Sequence, residues 1–372
     1  MKRERPFETE QFPRILLVGV DAPYNRTPSM RAYFDEFESL VHTSGTPYVR
    51  LAEFKLREVD PVYFFTKGKL EDLKKICVAE DIEQIILSEA LSAQQERNLE
   101  DFLDLLVTDR TRLILEIFKR AAHSAEGKTQ VAIALLQHEK TRLAGKGIHL
   151  HQQVGIIGLR GGPGETLKER EKRVIEKSIV TLHKQLERIA KSRETQRKQR
   201  LQTRTPLICL IGYTNTGKST IINTLAKAQV EAADKLFATL DTTTRELYLD
   251  GKKKGLISDT VGFIQQLPHQ LINAFKSTLS ELQYADLLLH VIDLSDPNWQ
   301  EHIRIVHNIL AELGVDKEML YVFNKRDRID DEQFDQMREE LERYQPHVII
   351  SARSKADIAP LKEFLASWKR TE

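Results

Sequence analysis

Between Arg14 and about Thr108, short apolar runs alternate with amphipathic stretches. Ile15 to Val20 and Ile85 to Leu87 read as buried strands, with a helix over Lys69 to Glu80 between them. This alternation predicts a small α/β domain. From Asp109 to Leu143 the pattern changes: Leu113, Ile117, Ala121, Val131 and Leu135 follow helical periodicity without a proline, which predicts a long helix with a break near Gly127. The glycine-dense stretch Gly155 to Gly164 separates it from a second helical run, Glu165 to about Arg200, whose apolar stripe is Val174, Ile175, Ile179, Leu182, Leu186 and Ile189. Two long helices around a flexible loop predict an antiparallel hairpin with facing stripes. Pro206 closes the second run. Beyond it, strands at Leu207 to Ile211, Arg245 to Asp250, Leu256 to Ser258, Leu287 to Asp293, Leu320 to Phe323 and Val348 to Ile350 alternate with helices. That is the pattern of a doubly wound α/β domain, with ligands expected beyond the carboxyl ends of the strands. The expected class is α/β: a doubly wound mixed sheet preceded by a small α/β domain and a helical hairpin, divided at 1–108, 109–204 and 205–372.

Composition narrows the setting. A chain of 372 residues with 41% hydrophobic and 30% charged residues suits two or three globular domains. Its two cysteines, Cys77 and Cys209, support neither a disulfide framework nor a metal cluster and read as buried thiols. No apolar run approaches the ~18 residues of a membrane span, and MKRERPFETE is not a signal peptide. A monomeric cytoplasmic protein is expected, with peripheral membrane association left open. The net charge of +1 conceals a local excess: Glu165 to Arg204 holds thirteen Lys/Arg against six Glu. Such a helix has two readings, a solvated face or a contact with nucleic-acid phosphates.

The chemistry is concentrated after Pro206. Gly212 to Ser219 reads GYTNTGKS, a GxxxxGKS phosphate loop lying between a strand and a helix. Gly212, Tyr213, Thr214, Asn215, Thr216 and Gly217 turn backbone amides toward a triphosphate, Lys218 charges the β and γ phosphates, and Ser219, followed by Thr220, offers a hydroxyl to Mg²⁺. Asp259, Thr260, Val261 and Gly262 form a DxxG segment at a strand end. There Asp259 can hold Mg²⁺ through water, and Gly262 brings an amide to the γ-phosphate unobstructed. Asn324, Lys325 and Asp327 belong to NKRD, whose Asp327 carboxylate can accept from guanine N1–H and the 2-amino group. Adenine offers neither donor, a difference of the kind that discriminates by roughly 10⁴. Ser351 and Ala352, followed by Arg353, are placed for a backbone amide to reach guanine O6.

A switch segment is expected at Leu236 to Arg245, covering Phe237, Ala238, Thr239, Leu240 and Asp241, with Thr239 or Thr244 as the Mg²⁺-binding threonine. Phe263 stands where many GTPases place a water-orienting glutamine and has no hydrogen-bonding group, so intrinsic hydrolysis should be slow. Asn215 is a candidate ligand for K⁺, which would supply charge at the phosphates; its other reading is a loop hydrogen bond. Lys218, Asn215 and Gly262 are the expected catalytic set. Gly68 and Lys69 are too sparse to indicate a second phosphate loop.

GYTNTGKST at Gly212 to Thr220, LFATLDTTTR at Leu236 to Arg245 and DTVGFIQQLPHQL at Asp259 to Leu271 resemble the HflX family of ribosome-associated GTPases. LSAQQERNLE at Leu91 to Glu100, DRTRLILEIF at Asp109 to Phe118 and RGGPGET at Arg160 to Thr166 are similar to it as well. The resemblance implies a P-loop GTPase domain behind an N-terminal α/β domain and a hairpin, and selects Thr239 as the Mg²⁺ threonine. It also implies binding to the large (50S) ribosomal subunit and splitting of ribosomes, particularly under stress. On that reading Arg160, Gly161, Gly162, Pro163, Gly164, Lys168, Arg170, Lys172 and Arg173 contact ribosomal RNA. The alternative is a regulatory GTP switch that binds a protein through its first two domains. Relative to the family, the glycine loop carries one extra glycine, Thr242 stands for a usual proline, Arg353 for a common lysine, and a C-terminal domain of some members is not expected after Trp368.

Overall fold

Six consecutive buried residues, Ile15 to Val20, leave a strand no solvent face, and such a strand must lie inside a sheet covered on both sides. The computed structural model describes residues 13–25, 27, 29–145, 167–202, 205–226, 236–237, 240, 243–265, 280–354 and 356–370. Two compact units divide them, falling within Met1–Ile114 with Thr141–Gly158, and within Leu115–Lys140 with Leu159–Glu372.

In the first unit β1 (Ile15–Asp21), β2 (Arg50–Lys55), β3 (Gln84–Leu87) and β4 (Leu106–Thr108) form a parallel sheet in the order β2-β1-β3-β4. Helices α1 (Met30–Ser44), α2 (Lys67–Ala79) and α3 (Ala93–Leu103) connect them. Local chemistry sets their ends. Ser29 caps α1 by accepting from the Ala32 amide, Gly45 ends it at φ +70°, and Ser92 with Gln95 makes a reciprocal capping box on α3. The alternation read over 14–108 is borne out. Gly68 and Lys69 lie in the first turn of α2 rather than in a loop.

Helix α4 (Arg110–Ala121) follows β4, and α5 (Ala125–Gly145) follows α4. The break expected near Gly127 falls instead at residues 122–124. Ser124 Oγ accepts from the Gly127 amide at 2.9 Å, so the serine caps the new helix and Gly127 sits in its first turn. At the other end of the same stretch Arg110 is buried. Its guanidinium meets Glu36 of α1 at 2.5 Å and lies 5.1 Å from the Tyr33 ring.

Helix α6 (Leu167–Gln202) runs for 36 residues. Ile175, Ile179, Leu182, Leu186 and Ile189 are half-buried along one stripe. Val174, expected on that stripe, is exposed, because it is one position out of the i, i+4, i+7 phase that the others keep. Lys140 of α5 pairs with Glu176 of α6 at 2.9 Å, joining the end of one helix to the early part of the next as an antiparallel hairpin requires. The glycine-dense stretch 155–164 lies outside the described residues.

The sheet of the second unit runs β10-β9-β8-β5-β7-β6. Its strands are β5 (Leu207–Gly212), β6 (Thr243–Leu249), β7 (Lys252–Asp259), β8 (Leu287–Asp293), β9 (Met319–Asn324) and β10 (His347–Ile349). All pairs are parallel except β6 with β7. Helices α7 (Lys218–Ala226), α8 (Trp299–Glu312), α9 (Asp331–Leu341) and α10 (Ala359–Ser367) complete the doubly wound mixed sheet that was expected. Alternate residues feed two cores: Val291 and Val322 join Ile221 and Leu361, while Ile292 and Phe323 join Trp299 and Leu341. The strand expected at Arg245 to Asp250 is Thr243–Leu249, because Asp250 (φ +49°) and Gly251 (φ +76°) make a two-residue hairpin turn into β7.

Removing one partner of a buried ion pair leaves the other charge stranded, at a cost of about 3–5 kcal/mol. Arg110→Ala is therefore expected to destabilise the first unit by that order, read as a lowered denaturant midpoint; a change under about 0.5 kcal/mol would contradict it.

Candidate functional site

The phosphate loop leaves β5 beside β8, where strand order reverses and an open α/β sheet has its crevice. Its shape depends on two glycines. At Gly212 (φ +144°) a Cβ would collide with the Val291 carbonyl of β8, and at Gly217 (φ +96°) with the Asn324 amide of β9. Between them Asn215 is exposed and takes the left-handed conformation at φ +59°, which asparagine tolerates. Thr214 and Thr216 are buried, and the Thr216 hydroxyl donates to the Tyr213 carbonyl at 3.1 Å.

Lys218 opens α7 from inside the loop. Its Nζ donates to the Gly212 carbonyl at 3.1 Å and the Tyr213 carbonyl at 2.7 Å. Burial pushes its pKa down to about 8, with Asp259 opposing the shift. The next residue, Ser219, donates its hydroxyl to Asp259 Oδ2 at 2.8 Å. Hydroxyl and carboxylate thus lie within reach of one small cation, and an all-oxygen donor set suits Mg²⁺. Thr220 follows in α7, where its carbonyl accepts from Thr224.

The DxxG segment is pinned against this loop. Thr260 Oγ1 donates to the Leu210 carbonyl at 2.6 Å, the Thr214 amide donates to Phe263 O at 2.8 Å, and the Phe263 amide donates to Gly212 O at 3.2 Å. A Cβ on Gly262 would lie 2.9 Å from Thr214 Cα and 3.1 Å from Lys218 Nζ, so only glycine fits. Val261 is buried, and the Phe263 ring is 1% exposed. Position 263 therefore contributes backbone to the site while its side chain serves the core.

The loops expected to read the base are tied to the same framework. Asn324 Nδ2 donates to the Thr216 carbonyl at 2.8 Å, and its Oδ1 accepts from the Ala352 amide at 2.9 Å. The Ala352 amide, one of the two expected to offer guanine O6 a donor, is thus held by Asn324. Asp327 is exposed and accepts from Ser351 Oγ at 2.6 Å, while Arg353 is exposed beyond them. Lys325, left-handed at φ +64°, pairs with Asp293 of β8 at 2.6 Å.

The switch residues are brought together less completely. Phe237 is buried, left-handed at φ +56°, and packs edge-on against Phe118 of α4 with centroids 4.6 Å apart; Leu240 is buried. Thr244, the alternative magnesium threonine, belongs to β6 with its hydroxyl 3.3 Å from Ser258 Oγ. Its strand register commits it to the sheet. Ala238, Thr239 and Asp241 lie outside the described residues, as do Arg160, Gly161, Gly162, Pro163 and Gly164. Lys168, Arg170, Lys172 and Arg173 lie in α6, the last three exposed.

Sequence reasoning missed Asp293, which a carboxylate at a strand end could have flagged, and the partners of Tyr213. The Tyr213 hydroxyl accepts from the Gln265 amide at 2.5 Å, and its ring stacks on His302 at 3.7 Å. His302 stands in no motif, and Gln265 lies in the DTVGFIQQLPHQL segment without a role assigned to it there.

A phosphate loop, a DxxG segment and an NKxD loop gathered at the carboxyl edge of a doubly wound sheet define a P-loop GTPase. Residues 31–119 match the family described as GTP-binding GTPase N-terminal, 121–200 the GTP-binding GTPase Middle Region, and 207–325 the 50S ribosome-binding GTPase. The chain is 43% identical over 326 residues to the GTPase HflX of Magnetococcus marinus, covering 87% of this chain and 75% of that one. To the GTPase HflX of Escherichia coli (strain K12) it is 42% identical over 332 residues, 89% and 77% of the two chains. A crystal structure of SsGBP in complex with GDP shares the fold, at a TM-score of 0.52 and 24% identity over 95% of this chain and 97% of that one. The chain belongs to the GTPase HflX family: it binds GTP and hydrolyses it.

Lys218 supplies a measurable consequence. At about pH 8 its buried ammonium is half deprotonated, and phosphates placed against it favour the charged form. GDP binding at about pH 8.5–9 should therefore be accompanied by proton uptake. Calorimetry in two buffers of different ionisation enthalpy should give different apparent binding enthalpies; identical values would contradict the assignment.

Proposed function

We propose that this GTPase acts on the large ribosomal subunit, using GTP to split or recycle ribosomes, with stress as the setting the family resemblance suggests. The observation that carries the reading is α6, whose exposed Arg170, Lys172 and Arg173 form part of the basic run beside the glycine-dense stretch. Clustered cationic side chains of this kind recognise phosphate backbones irrespective of sequence. The match of residues 207–325 to the 50S ribosome-binding GTPase family supports the same partner. In this reading the chain is divided at 1–108, 109–204 and 205–372, works as a monomer in the cytoplasm, and reaches ribosomal RNA through Arg160 to Gly164 with the start of α6.

For hydrolysis, Lys218 and the amides of Gly212 to Ser219 hold the phosphates, and Asp327 reads the base. The Gly262 amide meets the γ-phosphate, and water attacks in line without a side-chain general base. Ser219, Thr239 and, through water, Asp259 would hold Mg²⁺, which neutralises charge on the β and γ oxygens when bound. With Phe263 turned into the core, the chain supplies no side chain at that position to orient the water. Asn215, exposed at the tip of the loop, would ligate K⁺ and bring positive charge to the same place.

Two measurements test these readings. Binding to large subunits, followed by co-sedimentation with a GTP analogue, should weaken by roughly 10³-fold or more between about 50 and 200 mM salt if six or more phosphates are contacted. Binding indifferent to salt would point instead to a regulatory switch holding a protein partner through apolar contacts. Turnover should be faster in K⁺ than in Na⁺ at matched ionic strength, and equal rates would remove Asn215 from the catalytic set.

A further inference from the structure

Tyr213 occupies one of the unspecified positions of the GxxxxGKS pattern, yet its contacts extend well beyond the loop. It is 5% exposed. Its carbonyl accepts from Lys218 Nζ and Thr216 Oγ1 at 2.7 and 3.1 Å. Its ring lies flat on the His302 ring of α8, with centroids 3.7 Å and planes 6° apart, and His302 Nδ1 in turn sits 3.7 Å from the Asp296 carboxylate. Its hydroxyl accepts from the Gln265 amide, three residues past Gly262. One residue therefore touches the phosphate-binding lysine, a helix of the scaffold, and the segment that follows DxxG.

We propose that Tyr213 is a positioning residue for hydrolysis: through its hydroxyl it holds the Phe263–Gln265 backbone against the phosphate loop and so sets where the Gly262 amide meets the γ-phosphate. The proposal rests on the reading that Gly262 faces that phosphate. Three observations support it. Phe263 is bonded by its backbone to Gly212 and Thr214, the two neighbours of Tyr213, so the Tyr213 hydroxyl adds a third tie that fixes the direction in which the segment leaves the loop. The margin at Gly262 is small, since even a methyl there would crowd Thr214 and Lys218; a backbone shift of a few tenths of an ångström changes which atoms can approach. The tyrosine is itself held by the flat stack on His302, so its hydroxyl has little freedom to follow a moving segment.

The role separates GTP from GDP. GDP has no γ-phosphate, so the placement of the Gly262 amide bears on hydrolysis and not on diphosphate affinity. Tyr213→Phe removes the hydroxyl and keeps the ring, the stack and the carbonyl bonds. In the full-length chain its kcat should fall roughly tenfold, while the KM for GTP and the Kd for GDP stay within about twofold, the scale of one lost positioning hydrogen bond. A kcat within twofold of the parent overturns the proposal. So does a loss of GDP affinity in step with kcat, which would mark Tyr213 as structural support for the whole loop. Gly262→Ala, run in parallel, reports on the underlying reading: if it hydrolyses GTP normally, the Gly262 assignment falls, whatever Tyr213→Phe does.

Discussion

The nucleotide site depends on how closely three strand ends approach the phosphate loop. Gly212 lies against the Val291 carbonyl, Gly217 against the Asn324 amide, and Gly262 against Thr214 and Lys218. Each approach is closer than a Cβ allows. The reason is electrostatic: a loop that presents amides to phosphates must bend its carbonyls outward, and those carbonyls need partners of their own. Lys218 takes the Gly212 and Tyr213 carbonyls, and Asn324 takes that of Thr216. The glycines remove the side chains that would keep these donors at a distance.

That constraint explains why Phe263 does not disable the site. Its backbone completes a short bridge to Tyr213 while its ring fills the core, so the residue is selected by packing on one side and by main-chain geometry on the other. A glutamine there would need its amide satisfied in the same buried space, or a different backbone course. The chain puts a buried apolar ring where many GTPases place a water-orienting side chain. On the proposal made for Tyr213, the placement of this backbone is the variable on which hydrolysis turns.

Much of this was legible in the sequence, and the omissions have a physical cause. The central strands β5 and β8 were visible as apolar runs, because strands covered on both faces have no polar phase to obscure them, whereas the edge strand β6, TTRELYL, alternates exposed and buried residues. Lys218, Ser219, Asp259 and Asn324 were visible because their chemistry demands one residue type at one spacing. The errors came where a short polar group decided the outcome locally. Ser124 moved a helix break three residues from the glycine that seemed the better breaker, and the Asp250–Gly251 turn drew Thr243 and Thr244 into β6. The contacts among Tyr213, Gln265 and His302 were illegible for a different reason: they form only through tertiary structure, with 52 residues separating Tyr213 from Gln265.

Asn324 joins the NKRD loop to the phosphate loop. Its amide spans the Thr216 carbonyl on one side and the Ala352 amide on the other. Asp327 is steadied by Ser351 in the adjoining turn, and Thr224 of α7 donates to the Ala352 carbonyl at 3.3 Å. The NKRD and Ser351–Ala352 turns are therefore braced on the phosphate loop and on α7. Each hydrogen bond contributes only about 0.5–1.5 kcal/mol, but together they remove conformational freedom that a ligand would otherwise have to remove on binding. A site organised in this way can favour guanine strongly without gripping the nucleotide irreversibly, because preorganisation improves discrimination by refusing to relax around the wrong base. For an enzyme that exchanges GDP for GTP in each cycle, two separate sets of bonds share the phosphate loop: Asn324 holds it to the NKRD and Ala352 turns, and the Phe263 and Tyr213 bonds hold it to the segment after Gly262.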